Sequence, residues 1–121
     1  WGLAFKPRTD DVREAPALYL IEALVKAGAI VKAYDPVARE TATEHCPGKF
    51  NAVSSADEAA TGADALLIVT EWNEFRTPDL GRLKIMLKQP VVFDGRNVLD
   101  PKQMKKSGFT YYCVGRESLA R

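Results

Sequence analysis

The chain alternates between short apolar runs and segments whose apolar residues recur every three or four positions. A run with no polar residue, such as Ala-Leu-Leu-Ile-Val at 65–69, is typical of a parallel strand buried on both faces. The second pattern, seen at Leu18, Ile21 and Leu24, marks one face of a helix. Together they predict strands at 1–5, 30–34, 50–53, 65–69, 91–93 and 109–114, and helices at 15–27, 37–45, 55–60, 77–87 and 101–107.

Proline and glycine mark the two ends of the first predicted helix. Pro16 suits the first helical position, where its missing N–H costs nothing. An earlier start with Asp11 and Glu14 as a capping box would place Pro16 inside the helix, so we favour the later start. Gly28 suits the left-handed position that follows the last turn.

The alternation of strands and helices predicts the fold class. It indicates an α/β domain: a doubly wound, mostly parallel, Rossmann-like sheet with helices on both faces, joined by right-handed crossovers. Ligands of such sheets bind in the crevice outside the carboxyl ends of the strands. The candidate functional loops are therefore 5–13, 35–36, 70–75 and 94–97.

The first five residues, Trp-Gly-Leu-Ala-Phe, have the composition of the second half of a buried strand. Chain ends are usually polar and loosely held. We therefore expect residue 1 to lie inside or beside a larger protein. The 121 residues are enough for one domain with its own core.

Charge and cysteine content exclude several classes of function. Lysine and arginine number 17 against 16 aspartate and glutamate, a net charge of +1, which favours neither nucleic acid nor an acidic membrane surface as a partner. Cys46, Cys113 and His45 are too few for a disulfide framework or a metal motif. No apolar run reaches the roughly 18 residues of a membrane span. We expect a cytoplasmic protein that binds no metal, nucleic acid or membrane.

The first loop carries most of the candidate chemistry. Lys6, Arg8 and Arg13 follow a strand and precede a helix, whose unpaired N–H groups favour a phosphate. The alternative is a solvated loop in which these cations pair with Asp10 and Asp11.

Four stretches of the chain carry the pattern of a known family. Residues 5–16 read Phe-Lys-Pro-x-Thr-Asp-Asp-x-Arg-Glu-x-Pro. They are followed by Gly-Ala-x-Val-x-Ala-Tyr-Asp-Pro at 28–36, Glu-Trp-x-x-Phe at 71–75 and Phe-Asp-Gly-Arg-Asn at 93–97. In this order they resemble the C-terminal domain of the UDP-glucose dehydrogenases, the family that includes the UDP-N-acetylmannosamine and GDP-mannose dehydrogenases.

The resemblance implies which residues bind ligands. Family residues at the positions of Phe5, Lys6 and Arg96 contact the nucleotide sugar, and the residue at the position of Arg13 reaches NAD, which is bound mainly by a preceding N-terminal domain. The side chains suit these roles, since Lys6 is a compact cation and Arg96 offers a planar fork to an oxyanion. Gly95 would let the backbone turn tightly and approach the ligand.

The resemblance also implies an activity for the whole protein: oxidation of UDP-glucose to UDP-glucuronate in two NAD-dependent steps, through a thiol-linked intermediate. The family's catalytic cysteine lies upstream, so we interpret Cys46 and Cys113 as inert and residues 1–121 as the C-terminal UDP-binding domain, without a catalytic residue. A homodimer is implied. The alternatives are a UDP-N-acetylmannosamine dehydrogenase and a non-catalytic nucleotide-binding or scaffolding module.

Three further residues allow a structural and a functional interpretation. Asp35 ends the second strand, where NAD-binding folds carry the acid that binds ribose. The first loop lacks Gly-x-Gly-x-x-Gly, so we interpret Asp35 as a strand-ending Asp-Pro turn. Trp72 and Phe75 could line a pocket, but packing is the more frequent role of aromatic residues.

Overall fold

The structure is a computed structural model that describes residues 1–13 and 15–114. Its helices are α1 (Pro16–Lys26), α2 (Arg39–His45), α3 (Ala56–Ala60), α4 (Leu80–Met86) and α5 (Pro101–Lys106). Its strands are β1 (Lys32–Ala33), β2 (Asn51–Ala52), β3 (Leu66–Ile68), β4 (Val91–Asp94) and β5 (Thr110–Cys113), and a 3₁₀ turn covers Asn73–Phe75. From α1 to β5 the order agrees with the prediction. Glu14, part of the motif at 5–16, lies outside the described residues.

The strands form two parallel sheets. In one, β1 pairs with β2, so that Lys32 lies opposite Asn51. In the other the order is β3-β4-β5, and Leu66, Val92 and Tyr111 lie side by side. The parallel direction of every described pair agrees with the prediction, whereas the division into two sheets does not.

Residues 1–5 do not form the predicted strand but connect the two sheets. The nitrogen and the carbonyl of Trp1 hydrogen-bond to the backbone at 67–69, at 2.7 and 2.9 Å. The N–H of Gly2 donates to the carbonyl of Tyr34, after β1, at 2.8 Å. The next two N–H groups donate to a carboxylate instead of to a strand, so regular pairing stops there.

Local signals explain where three helices begin or end. Helix α1 starts at Pro16 as predicted, and Gly28 after it has a φ of +96°. The side chain of Ser55 accepts a backbone N–H at 3.0 Å and caps α3. Helix α4 starts later than predicted, at Leu80, because the side chain of Asp79 accepts a backbone N–H at 3.1 Å and caps it there.

The helices build two separate hydrophobic clusters. One packs α3, α4 and α5 against β3–β5, and Phe75, Phe109 and Tyr111 are its largest fully buried side chains. The other packs α1 and α2 against the first segment and β1, and it includes Leu3 and Ile21. Two helix layers on a parallel sheet framework are the doubly wound α/β class that the sequence predicts.

One face of the β3-β4-β5 sheet remains open to solvent. Phe93 and Tyr112 are register partners on this face, and their rings stack with centroids 5.0 Å apart. They are 43% and 38% exposed. Since parallel sheets are normally covered on both faces, this open face is a surface suited to a further layer of protein.

Candidate functional site

The loops predicted to be functional meet at one edge of the structure. The hydroxyl of Thr70, after β3, is buried and donates to the carbonyl of Ala4 at 2.8 Å. Gly2 makes this approach possible, because a Cβ added to it would lie 2.5 Å from the Cβ of Thr70. The turn after β4 reaches both loops through Arg96. The first loop and the loops after β3 and β4 thus lie together at the carboxyl ends of the strands, while their functional role stays a prediction.

Arg96 lies at the centre of this edge. Its Nε donates to the carbonyl of Val69 at 2.9 Å, and its Nη2 donates to the carbonyl of Phe5 at 3.3 Å. Its Nη1 lies 3.8 Å from Oε2 of Glu71, and 28% of the Arg96 side chain is exposed. The guanidinium therefore joins three loops and still reaches solvent.

The turn that carries Arg96 is held by the buried carboxylate of Asp94. Oδ1 of Asp94 accepts the backbone N–H of Arg96 at 3.0 Å. Oδ2 accepts the hydroxyl of Tyr111 at 2.6 Å and the N–H of Leu99 at 2.9 Å. Both oxygens have protein donors, so Asp94 orients the turn and is not available to a ligand.

Gly95 lies in the turn after β4, as predicted, and its approach to a ligand stays a prediction. The left-handed residue of this turn is Asn97, with φ +55°, and asparagine is among the residues that tolerate this conformation. The N–H of Gly95 donates to the carbonyl of Ile68 at 2.9 Å, and an added Cβ would lie 3.2 Å from that oxygen. Gly95 thus allows close approach of this turn to β3.

Phe5 and Lys6 are presented by a closed loop. The N–H of Phe5 donates to the carbonyl of Asp11 at 2.7 Å, and Arg8 has a left-handed φ of +63°. Phe5 is 47% exposed, and Lys6 is exposed and forms no ion pair within the described part of the chain. The structure places Phe5 in direct contact with Arg96, and Lys6 follows Phe5 in the same exposed loop.

Arg13 is paired within its own loop. Its Nε and Nη2 donate to the two carboxylate oxygens of Asp11 at 3.1 and 3.0 Å, and 83% of the Arg13 side chain is exposed. These side-chain hydrogen bonds, helped by the backbone N–H of Arg13, lower the pKa of Asp11 to about 2. The alternative in which the loop charges pair with each other holds for Arg13 and Asp11.

Asp35 has a larger structural role than sequence reasoning indicates. It is buried, and its Oδ1 accepts the N–H groups of Val37 and Ala38, both at 2.8 Å. Its Oδ2 accepts the N–H groups of Leu3 and Ala4, at 2.8 and 3.0 Å. Burial alone would raise the pKa of Asp35, but these backbone hydrogen bonds outweigh it and lower the pKa. The interpretation of Asp35 as a strand-ending turn residue is confirmed. The structure shows in addition that Asp35 holds the backbone that leads into the first loop.

Trp72 and Phe75 belong to the core rather than to an open pocket. Phe75 is fully buried, and its ring stacks on Trp1 with centroids 5.2 Å apart. Trp72 is half-buried against the same cluster, and its indole N–H donates to Oδ2 of Asp35 at 3.1 Å. The packing interpretation of both residues is confirmed.

The other groups of the described residues that could react or bind a metal ion are the two cysteines and the remaining His, Asp and Glu side chains. Cys46 and Cys113 are free thiols, and burial, with the charge of Glu22 as a smaller cause, raises the pKa of Cys46. Within residues 1–13 and 15–114 there is no group of three or more His, Cys, Asp or Glu side chains arranged to hold a metal ion. Among the helices of this part, none is both long and apolar enough to cross a bilayer.

Two clefts of the structure lie away from the candidate site residues. Clefts of about 130 and about 200 Å³ lie beside α4, and they are lined by other residues than Phe5, Lys6, Arg13 and Arg96.

Fold and site together define the class of protein: a doubly wound α/β domain with an exposed lysine and a tethered arginine at the edge where such folds bind ligands. The sequence profile of the UDP-glucose/GDP-mannose dehydrogenase family, UDP binding domain, matches residues 1–101. The chain belongs to this family.

Curated relatives are similar over nearly the whole chain. The UDP-glucose 6-dehydrogenase of Pseudomonas aeruginosa is 45% identical over an alignment of 121 positions that covers 96% of this chain and 27% of the relative. That of Rhizobium meliloti is 46% identical over 115 residues, which are 95% of this chain and 26% of the relative. The chain thus spans about a quarter of the length of these relatives.

Solved structures of the family share the fold. The NDP-N-acetyl-D-galactosaminuronic acid dehydrogenase of Methanosarcina mazei Go1 has a TM-score of 0.82 at 30% identity, over 96% of this chain and 24% of that chain. The UDP-D-ManNAc dehydrogenase of Pyrococcus horikoshii has a TM-score of 0.73 at 29% identity, over 95% of this chain and 24% of that chain.

Proposed function

We propose that this chain is the UDP-sugar-binding domain of an NAD-dependent UDP-glucose 6-dehydrogenase, which oxidises UDP-glucose to UDP-glucuronate. Identities of 45% and 46% to two bacterial UDP-glucose 6-dehydrogenases support this substrate over other UDP-sugars. The observation that carries the proposal is the bond from Arg96 to the carbonyl of Phe5, since it unites two predicted substrate-binding positions that are 91 residues apart.

Arg96, Lys6 and Phe5 supply complementary chemistry for a nucleotide sugar. The outward N–H groups of Arg96 suit a diphosphate oxygen, and the ammonium of Lys6 suits a second oxygen or a sugar hydroxyl. The ring of Phe5, 47% exposed, offers an apolar face to the base or the sugar. Together they would bind the anion and orient the part of the ligand that carries no charge.

The described residues of this chain do not form the main binding site for NAD. Both oxygens of Asp35, at the position that would bind ribose, accept N–H groups of the protein. NAD accepts hydride when bound, and we assign most of its binding to a separate N-terminal domain. The contribution of this chain is Arg13, whose exposed guanidinium would exchange its pairing with Asp11 for a contact with the cofactor.

The open sheet face supports association with further protein. Phe93 and Tyr112 present an apolar surface next to the edge strand β5, and the relatives contain about three quarters of their length beyond the matched part. We assign this face to contact with the rest of the protein, which we propose to be a cytoplasmic homodimer.

A second candidate is the same domain of a UDP-N-acetylmannosamine dehydrogenase. The Pyrococcus horikoshii enzyme shares the fold at a TM-score of 0.73 and 29% identity, but a UDP-glucose dehydrogenase of Pyrobaculum islandicum matches at least as well, at 0.75 and 31%. Turnover with each of the two UDP-sugars by the full-length protein separates the candidates.

The test of the proposal is calorimetric titration of the full-length protein with UDP-glucose. Lys6→Ala and Arg96→Ala should each weaken binding by about 1.5–3 kcal/mol, the usual contribution of a hydrogen bond to a charged group. Arg96→Lys should recover little, because the fork is lost. Lys105→Ala, on the exposed side of α5, is the matched control and should bind normally. Unchanged affinity in both alanine variants refutes the site.

Catalysis supplies an independent test. The isolated chain should produce no NADH from UDP-glucose and NAD, because the proposal places the nucleophile and most of the cofactor site outside residues 1–121. Turnover that survives replacement of both Cys46 and Cys113 would contradict the assignment of the nucleophile to another part of the protein.

A further inference from the structure

The guanidinium of Arg96 presents two different edges. The Nε and Nη2 atoms donate to the carbonyls of Val69 and Phe5, so the edge that these two nitrogens share faces the protein. Within residues 1–13 and 15–114 no hydrogen bond engages Nη1, so the edge formed by Nη1 and Nη2 is left for a ligand. Oε2 of Glu71 is the acidic atom next to this second edge, 3.8 Å from Nη1.

The distance between Glu71 and Arg96 has a chemical consequence. At 3.8 Å the two groups attract each other as charges, but the separation is too long for a hydrogen bond. The N–H groups of Nη1 therefore stay available to an oxyanion while the carboxylate attracts that end of the guanidinium. Glu71 can thus fix the orientation of the plane without using the donors that a phosphate needs.

The backbone around Glu71 is held on both sides. The preceding residue, Thr70, is fully buried and bonded to Ala4, and the following residue, Trp72, is bonded to the buried carboxylate of Asp35. The point on the backbone from which the Glu71 side chain extends is therefore fixed relative to the first loop and to Asp35. The Glu71 side chain is 31% exposed, so water screens its charge only in part.

We propose that Glu71 is a positioning residue that aims the free edge of Arg96 at the diphosphate of the substrate, an inference that rests on the proposed function of Arg96. Two carbonyls hold one edge of the guanidinium, and Glu71 restrains the other end, so the fork is oriented before the ligand arrives. Pre-orientation of this kind improves affinity by reducing the ordering that binding requires.

Glu71 could also weaken anion binding, so the direction of the change in UDP affinity on its removal tests the inference. A carboxylate beside an anion site also repels the anion. If repulsion dominates, removal of the charge strengthens binding, whereas if positioning dominates, removal weakens it.

The experiment is calorimetric titration of the full-length protein with UDP, using Glu71→Gln and Glu71→Ala. We expect UDP affinity to fall about fivefold in Glu71→Ala, the upper range for a partly exposed ion pair, and less in Glu71→Gln, which keeps the size and an acceptor oxygen. Glu74→Gln is the matched control, since Glu74 lies three residues away and its carboxylate contacts the hydroxyl of Tyr34 instead.

A double-mutant cycle separates positioning from general damage to the fold. In an Arg96→Ala background, Glu71→Ala should cause no further loss of UDP affinity, and the thermal midpoint of the single variant should stay close to that of the unchanged protein. Equal or higher affinity in Glu71→Ala, or an equal loss in both backgrounds, overturns the inference. If Arg96→Ala itself binds UDP normally, the proposed function fails as well, so the two failures are distinguishable.

Discussion

The indole N–H of Trp72 donates a 3.1 Å hydrogen bond to Oδ2 of Asp35, which lies 37 residues earlier in the chain. Through this bond the buried carboxylate connects the turn after β1 to the loop after β3. The same oxygen accepts the N–H groups of Leu3 and Ala4, so it also fixes the backbone that leads into Phe5. A single carboxylate thus sets the relative position of three of the loops around the candidate site.

Asp35→Asn should destabilise the protein strongly. One oxygen would become an NH₂ group facing at least two backbone N–H donors, and each buried donor left without an acceptor costs about 1–3 kcal/mol. We expect the free energy of unfolding to fall by about 2–5 kcal/mol, measured by urea denaturation at pH 7. Asp10→Asn is the matched control, since Asp10 is exposed and its side chain accepts only a long 3.5 Å bond from Thr41. A loss below about 1 kcal/mol for Asp35→Asn would contradict this account.

The lowered pKa of Asp35 predicts a direction for acid sensitivity. A carboxyl group that binds protons less readily when folded stabilises the protein fully above its ordinary pKa of about 3.9, and that stabilisation disappears as the pH falls through the lowered value. The difference in unfolding free energy between the unchanged chain and Asp35→Asn should therefore shrink between pH 6 and pH 2.5. Asp11→Asn should change this profile less, because solvent screens the exposed Asp11–Arg13 pair. A difference that is constant with pH would contradict the assignment.

Substitution of three glycines by alanine should give three distinct results. Gly2→Ala should destabilise most, because its φ is +103° and the new Cβ would lie 2.6 Å from the backbone nitrogen of Thr70. Gly28→Ala has the unfavourable φ of +96° but open space, so a cost of about 1 kcal/mol is expected. Gly81→Ala lies within α4 and should stabilise by about 0.5–1 kcal/mol. Thermal midpoints give the order, and a Gly2 variant as stable as the Gly28 variant would refute the close contact.

Tyr111→Phe should lower the free energy of unfolding, because it removes a hydrogen bond that holds the turn carrying Arg96. The hydroxyl of Tyr111 donates to the buried Asp94 at 2.6 Å, and a hydrogen bond to a charged group contributes about 1.5–3 kcal/mol. Urea denaturation should show a loss of this size. Tyr112→Phe is the neighbouring control, since the ring of Tyr112 lies on the open face and is 38% exposed. Equal stability of both variants would argue against the role assigned to Asp94.

Some features of the fold could be predicted from the sequence because they depend on neighbours along the chain. The apolar run that became β3 and the helical spacing that became α1 are local patterns, and Pro16 and Gly28 act through their own backbone preferences. The position of the loops at the carboxyl edge follows from parallel strand direction, which the alternation of elements already indicates.

Other features failed because distant groups decided them. Residues 1–5 are as apolar as a strand, yet the N–H groups of Leu3 and Ala4 bind the carboxylate of Asp35 instead of a strand. Ile30, expected in a strand, is 90% exposed.

The sequence by itself determined the α/β class and the order of elements from α1 to β5, since local periodicity and turn chemistry carry that information. The tertiary structure alone decided which of those residues meet. Arg96 holds the carbonyls of Phe5 and Val69, which are 91 and 27 residues away, while Arg13 pairs with Asp11 two residues away. The physical reason is that the partner of a charged group depends on burial and on distances of about 3 Å, and packing between elements sets both.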